Sequence, residues 1–361
     1  MPLTINPPLL NSANPWCSNL EQLQELYNCL YTGAVTTRTA LLDNGFPHDD
    51  STHQFTFFNP LTQRSHSGAN PTTNAKSIDM NETASLNTLG YSPLPLKDYL
   101  SFIKTISDGL SEGSKLKPFI ISVTGTAEQV VECYRRIVAH QKEVKMVLAM
   151  EVNLSCPNIP DKPPPAYDSE ALKSYLAALK LETAKQSAPN LSPEHQGNGN
   201  EHVPVGIKTP PYTYADQFKQ LITTLVYSAT DMEPKNLGCP ISFLTTTNTL
   251  GTSLLLTPTT ESNTPVYHHT LNSSNGTGIG GMAGAPLHPL ALGNVYTLKG
   301  LLFQYPEMEN VQIIGVGGVE DAEGFKRMRA VGAAAVGVGT ALGRRGMGVF
   351  GEIGRGVGVG E

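Results

Sequence analysis

Residues 150–159 read MEVNLSCPNI, an apolar run that ends in Asn153 and is followed by Cys156, Pro157 and Asn158. A free thiol ionises near pH 8.5, lower in electropositive surroundings. As a thiolate it can take a proton from a carbon acid. The competing reading is a small buried hydrophobe, the default for most cysteines. Position favours chemistry at Cys156, because it lies just past a strand and before a proline, where the chain leaves the strand layer. Cys17, Cys29, Cys133 and Cys239 lack that setting and read as structural.

Other polar groups close apolar runs in the same way. Asn87 stands in SLNTLG, Asn153 and Asn158 flank Cys156, and Asn248 and Thr249 stand in TTTNTLG. A carboxamide offers both a donor and an acceptor, so a ring of them suits a flat, polar, imide-like heterocycle. A lone strand-end asparagine is more often a turn residue, but several on different strands point to a site. Lys208 ends VGIKTPPY. A lysine there is expensive to bury without an anionic partner, and the N1–C2=O edge of a reduced flavin would be one. Snorkelling to the rim is the alternative.

Glycines close two consecutive strands, in IIGVGG (313–318) and VGVGT (336–340). Such turns let backbone N–H groups approach a phosphate that a side chain would block, although any strand–helix fold also needs tight turns. GIGGMA (278–283) has the form G-x-G-x-x-A but follows a polar loop. A dinucleotide fingerprint needs a strand in front. We therefore read it as a loop whose backbone approaches a ligand.

The elements that must position these groups alternate. Continuous Val/Ile/Ala strands at 33–37, 119–125, 146–156, 204–210, 241–249, 311–318 and 333–340 are separated by helix-period segments at 127–140, 169–185, 214–229, 289–305 and 321–332. Unalternating apolar strands signal a parallel sheet covered on both faces. With a weaker strand at 84–89 the count is close to eight, so a single (β/α)8 barrel over 1–361 is expected, with a doubly wound open sheet as the alternative. Polar stretches at 62–83, 187–203 and 257–277 read as long loop insertions. The glycine-rich end, GRRGMGVFGEIGRGVGVGE, carries no convincing final helix, so a shortened C-terminus is expected.

The bulk composition excludes other classes. The 361 residues carry 25 Lys and Arg against 31 Asp and Glu, a net charge of −6 with no basic stripe, which argues against nucleic acid. No apolar run is long enough to span a bilayer, and the first residues lack a basic region and apolar run of a leader. Five widely spaced cysteines suit reduced thiols in the cytoplasm. The nine histidines form no H-x-x-x-H pair, so no metal is expected.

The segments NLSCPNIPDKPPPAYD, GIKTPPY, NTLG, GIGGMAGAPLHPLALGNV, IIGVGGVEDAEGF and VGVGTAL together resemble the class 1 dihydroorotate dehydrogenases, the cytosolic flavoproteins. The membrane-associated class 2 members use serine where this chain has Cys156. The resemblance implies an FMN-containing (β/α)8 barrel that oxidises dihydroorotate to orotate in pyrimidine synthesis. Cys156 would remove the C5 proton while the C6 hydride passes to flavin N5. Asn87, Asn153, Asn158, Asn248 and Thr249 would hold the substrate, and Lys208 would face the flavin. Gly281, Gly317, Gly318, Gly339 and Thr340 would wrap FMN, the last four around its phosphate. Ser12 and Ala13 fall in the family's first flavin-contacting loop. Fumarate is the implied acceptor and a homodimer the implied assembly.

The chain also departs from that pattern. The family has a lysine near substrate and flavin in the segment that here reads VTTRTAL, and Arg38 takes its place. Arginine keeps the charge with a different shape and hydrogen-bond geometry. Arg38 motivates a second reading, a related flavoprotein acting on another dihydropyrimidine or cyclic imide. The missing final helix motivates a third, a barrel that binds FMN or a pyrimidine without turnover.

Overall fold

The computed structural model describes residues 2–71, 79–155, 164–187, 203–259 and 265–359. Strand β1 (Leu9–Asn11) comes first, followed by α1 (Leu20–Asn28), β2 (Val35–Thr36), β3 (Phe55–Phe58) and β4 (Ala84–Asn87). Next are α2 (Leu96–Asp108), β5 (Phe119–Val123), α3 (Ala127–Gln141), β6 (Leu148–Asn153) and α4 (Ser169–Ser187). Then come β7 (Val205–Thr209), α5 (Ala215–Thr230), β8 (Ile241–Thr246), β9 (Leu250–Ser253), β10 (Leu256–Thr259), β11 (Val266–His269) and β12 (Gly280–Gly284). The last elements are α6 (His288–Leu302), β13 (Gln312–Val316), α7 (Ala322–Ala330), β14 (Ala335–Val338), α8 (Thr340–Arg345) and α9 (Gly348–Gly356).

Strands β1, β2, β5, β6, β7, β8, β13 and β14 form one eight-stranded parallel sheet whose spatial order follows the chain. A parallel bridge between Leu10 and Ala34 joins its two ends, so the sheet closes into a (β/α)8 barrel and is not an open doubly wound sheet. The residues dictate this by their period of two. On β6, Leu148, Met150 and Val152 join the large core shared with the helices, while Ala149 faces the barrel axis.

The axis is filled in layers. Leu10, Ala34, Ile120, Ala149, Phe243, Ile314 and Ala335 form an apolar plug. Gly206 belongs to the same layer, because a Cβ there would lie 2.2 Å from the Phe243 ring. Two residues further along their strands, the inward positions are Ser122, Glu151, Lys208 and Thr245, all buried. The interior therefore turns from apolar to polar toward the carboxyl ends of the strands.

The β1–β2 seam is thin in backbone bonding, and Asn11 reinforces it. Its Nδ2 donates to Thr36 O at 2.6 Å, and Thr36 N donates to its Oδ1 at 2.9 Å. Gly33 N adds a bond to Leu9 O at 2.8 Å. Asn11 thus acts as one more rung of the ladder, in a place where an unpaired peptide group would be sealed from water.

A second, antiparallel sheet of order β3-β4-β12-β9 lies against the polar end of the barrel. Residues 84–87 are a strand, but they belong to this sheet and not to the barrel, where β1 is the eighth strand. The pairing of Phe55–Phe58 and Gly280–Gly284 on either side of β4 accounts for the difference. Residues 280–284 are accordingly a strand, not a loop. The polar stretch at 257–277 also contains structure, since β10 and β11 pair as a hairpin.

The expected lack of a final helix is corrected as well. Helices α8 and α9 follow β14 despite their glycines. Helix propensity underrates this segment because its glycines serve ring packing. A Cβ at Gly354 would lie 2.2 Å from the Tyr31 ring, and one at Gly343 would lie 2.1 Å from Trp16. Among the described residues, no helix is long and apolar enough to cross a membrane.

Replacing Asn11 by alanine tests the seam. It leaves the Thr36 N–H and C=O buried without partners, so Asn11→Ala is expected to destabilise the barrel by about 2 kcal/mol, read as a lower urea midpoint at unchanged m. An unchanged midpoint would show that backbone bonding alone holds the closure.

Candidate active site

A cleft lies between the polar end of the barrel and the antiparallel sheet. Its volume is about 160 Å³, measured as the space open to the centres of water molecules. From the barrel side it is lined by Ser12, Ala13, Arg38, Asn153, Lys208, Asn248, Thr249, Gly317, Gly318, Gly339 and Thr340. Asn87 reaches it from β4, and Trp16 and Phe55 supply aromatic walls. These two rings pack edge to face with centroids 5.7 Å apart, which gives one side of the cleft a rigid apolar surface.

The carboxamides are joined to one another. Asn248 Nδ2 donates to Ser155 Oγ at 3.0 Å and to Asn153 Oδ1 at 3.4 Å. Ser155 Oγ donates to Asn153 Oδ1 at 3.1 Å. Asn153 Nδ2 donates to Thr39 Oγ1 at 3.1 Å. Asn248 Oδ1 accepts from Thr249 N at 2.8 Å. Neither amide can turn without breaking several bonds, so the cleft offers a fixed pattern of donors and acceptors.

Two cations face the same space. Arg38 is only 9% exposed, and its Nη2 has no hydrogen-bond partner among the described residues. Burial pulls the guanidinium below its ordinary pKa, with Tyr99 and Cys17 acting in the opposite direction. Lys208 is buried, and among the described residues its Nζ makes one long contact, 3.5 Å, to Ala13 O. Neither forms an ion pair with a carboxylate among the described residues. A buried guanidinium with an idle N–H fits a ligand that brings carbonyl or anionic oxygen. Cys17, beneath this loop, is no candidate nucleophile, because burial pushes its thiol up to about 12.

The glycine turns form the opposite end. Gly317 and Gly318 have φ of 137° and 64°. A Cβ at Gly317 would lie 2.5 Å from Ala291 Cβ, and one at Gly318 would lie 2.6 Å from Gly284 O. Glycine is thus required at both by backbone conformation and by packing against α6 and β12, which is a stronger reason than ligand access. The backbone N–H groups of Gly318, Gly339 and Thr340 donate to no protein acceptor among the described residues. Thr340 Oγ1 lies 2.8 Å from Ser85 Oγ.

His288 secures the turn. Arg327 Nε donates to His288 Nε2 at 3.1 Å, so the other ring nitrogen carries the proton and donates to Gly317 O at 2.7 Å. Burial lowers the pKa of this imidazole, which favours the neutral form.

The sequence-predicted residues separate into three groups. Most stand together in the cleft. Gly281 does not line it but stands behind Asn87, where its carbonyl accepts from Asn87 Nδ2 at 3.1 Å. A Cβ on Gly281 would lie 2.2 Å from Thr249 Oγ1, so its role is to let β12 approach that loop. Cys156 and Asn158 lie outside the described residues, immediately after Ser155. Sequence reasoning missed Thr39, Ser122, Glu151, Ser155, Trp16 and His288. The period of two along EVN was the available signal for Glu151, since it places that carboxylate on the face of Asn153.

Comparison with known proteins places the chain in a family. The family model described as Dihydroorotate dehydrogenase matches residues 55–359. The dihydroorotate dehydrogenase (fumarate) of Trypanosoma cruzi is 30% identical over 267 residues, 74% of this chain and 69% of that protein. Dihydroorotate dehydrogenase A (fumarate) of Lactococcus lactis subsp. cremoris is 26% identical over 348 residues, 96% of this chain and 88% of that protein. The crystal structure of ligand-free dihydroorotate dehydrogenase from Eimeria tenella matches with a TM-score of 0.66 at 16% identity, over 97% of this chain and 83% of that one, a likeness of fold. With its barrel, its cleft and a match across most of its length, this chain belongs to the dihydroorotate dehydrogenase family.

Proposed function

We propose that the chain, acting as one barrel unit, oxidises (S)-dihydroorotate to orotate in pyrimidine synthesis with FMN as cofactor and fumarate as acceptor. The observation that carries this reading is the joined Asn153–Ser155–Asn248 group beside Arg38 and Lys208, in a chain of this family. Such a group suits a cyclic imide that also bears a carboxylate. The resemblance supports a homodimer in the cytoplasm.

The residues present suit FMN. The free amides of Gly318, Gly339 and Thr340 would hold its phosphate, Lys208 would meet the pyrimidine edge of its ring, and Ser12 and Ala13 would border it. Bound there, FMN supplies the acceptor for a hydride. Arg38, Asn87, Asn153, Asn158, Asn248 and Thr249 hold and orient the substrate. Cys156, as thiolate, takes the proton from C5. The C6–H bond breaks with its electron pair departing as hydride, and the C5–H pair becomes the C5=C6 double bond. The walls made by Trp16 and Phe55 keep water from the reacting carbons.

Arg38 favours a second reading, a related flavoprotein that takes another dihydropyrimidine or cyclic imide. Its unsatisfied Nη2 differs in reach from the family's lysine. The motive for a barrel without turnover is removed, because α8 and α9 complete the wall.

Orotate formation from dihydroorotate with fumarate tests the proposal. Cys156→Ser should retain FMN and slow turnover about 10²–10⁴-fold near neutral pH, the range for a lost general base. A Cys156→Ser enzyme with near-normal turnover would remove Cys156 from that role. Arg38→Lys should keep or raise activity on dihydroorotate. A collapse of activity in Arg38→Lys would show that the guanidinium fork is itself needed, and would favour the second reading.

A further inference from the structure

We propose that Glu151, sealed within the barrel, is a positioning residue that anchors Asn153, and through it Asn248, in the orientation that faces the substrate. The proposal rests on the reading of the cleft as the dihydroorotate site and adds a determinant beneath it. Glu151 is 1% exposed and lies two residues below Asn153 on the inward face of β6. It does not line the cleft.

A chain of hydrogen bonds connects the two levels. Ser122 Oγ donates to Glu151 Oε1 at 2.8 Å. Thr39 Oγ1 and Ser122 Oγ are 2.9 Å apart, and by distance alone either could donate. A hydroxyl has only one hydrogen. That of Ser122 is committed to the carboxylate, so Thr39 must donate to Ser122. The Thr39 hydrogen is then spent, and Thr39 Oγ1 can only accept from Asn153. The atom of Asn153 at 3.1 Å must therefore be Nδ2. Its Oδ1 is turned the other way, to accept from the Ser155 N–H, Ser155 Oγ and Asn248 Nδ2.

This polarity matters because an amide's oxygen and nitrogen are nearly the same size. Shape does not prevent a flip, and only the polarity of the bonded partners selects one orientation. A carboxylate accepts and cannot donate, so it sets the direction at the buried end of the chain. The direction is passed through two hydroxyls to Asn153, through Ser155 to Asn248, and ends one residue before Cys156. The Ser155 N–H also donates to Asn153 Oδ1 at 3.3 Å and the Thr249 N–H to Asn248 Oδ1 at 2.8 Å, so a neutral side chain at position 151, able to present a donor or an acceptor, would loosen the Thr39 end of this network and weaken the hold on Asn153.

The test measures orotate binding to the FMN-loaded protein by isothermal titration, beside FMN content and melting temperature. Glu151→Gln removes the fixed acceptor at the buried end and Ser122→Ala cuts the chain. Each should weaken orotate binding about tenfold, the scale for a charge-assisted hydrogen bond, with FMN content unchanged. The double variant should be no weaker than the worse single one, because both changes break one chain. Binding within twofold of the parent, or effects that multiply, would overturn the proposal. Should Glu151→Gln not fold, Ser122→Ala and Thr39→Val break the same chain at other links and carry the same expectation. A parent that binds FMN but no orotate would sink the substrate reading alone. The positioning claim is then decided by the Asn153 side-chain resonances of asparagine-¹⁵N protein, which must shift in both variants and which, unmoved, would overturn it.

Discussion

The side chain of Asn11 joins the first barrel strand to the second where backbone pairing is reduced to a single bridge. Closure of the sheet depends on that seam, and the rest of the molecule depends on closure. In a closed parallel ring every strand ends on the same side, so groups far apart in the chain share one rim. Ser12, Asn153, Lys208 and Thr340 meet in one cleft for that reason.

The barrel interior is divided to serve this rim. Its lower layer is apolar and closely fitted, with Gly206 making room for Phe243. Its upper layer holds Ser122, Glu151 and Lys208, groups that are costly to bury and are retained because they connect to the cleft. At the glycine turns the same economy holds by different means. Packing against α6 and a hydrogen bond from His288 fix the backbone, leaving amides at Gly318, Gly339 and Thr340 for a ligand. Rigidity of the scaffold thus orients the site before any substrate arrives.

Much of this was legible in the residues. The barrel strands after β1 could be read because continuous Val/Ile/Ala runs have no other use in a chain of this length, and the rim amides could be read because each closes such a run. Three things could not be read. Leu9–Asn11 is too short to be seen as a strand without its partners. Helix α9 has four glycines at positions 348, 351, 354 and 356, and only the close approach of the Tyr31 ring to Gly354 and of Ala322 to Gly356 explains two of them. Glu151 hides in an apolar run, and its use depends on Ser122 and Thr39, which are remote in sequence. Propensity describes a residue alone, and each of these owes its role to a neighbour brought in by closure.

A cleft that binds a flavin and passes it electrons from dihydroorotate must show this in its colour. The most direct measurement is the visible absorbance of the purified protein before and after anaerobic addition of L-dihydroorotate. The protein is expected to be yellow, with a flavin band that bleaches on addition and returns with fumarate. A yellow protein that stays yellow would contradict the assigned substrate. A colourless protein that cannot be reconstituted with FMN would contradict the account of the cleft.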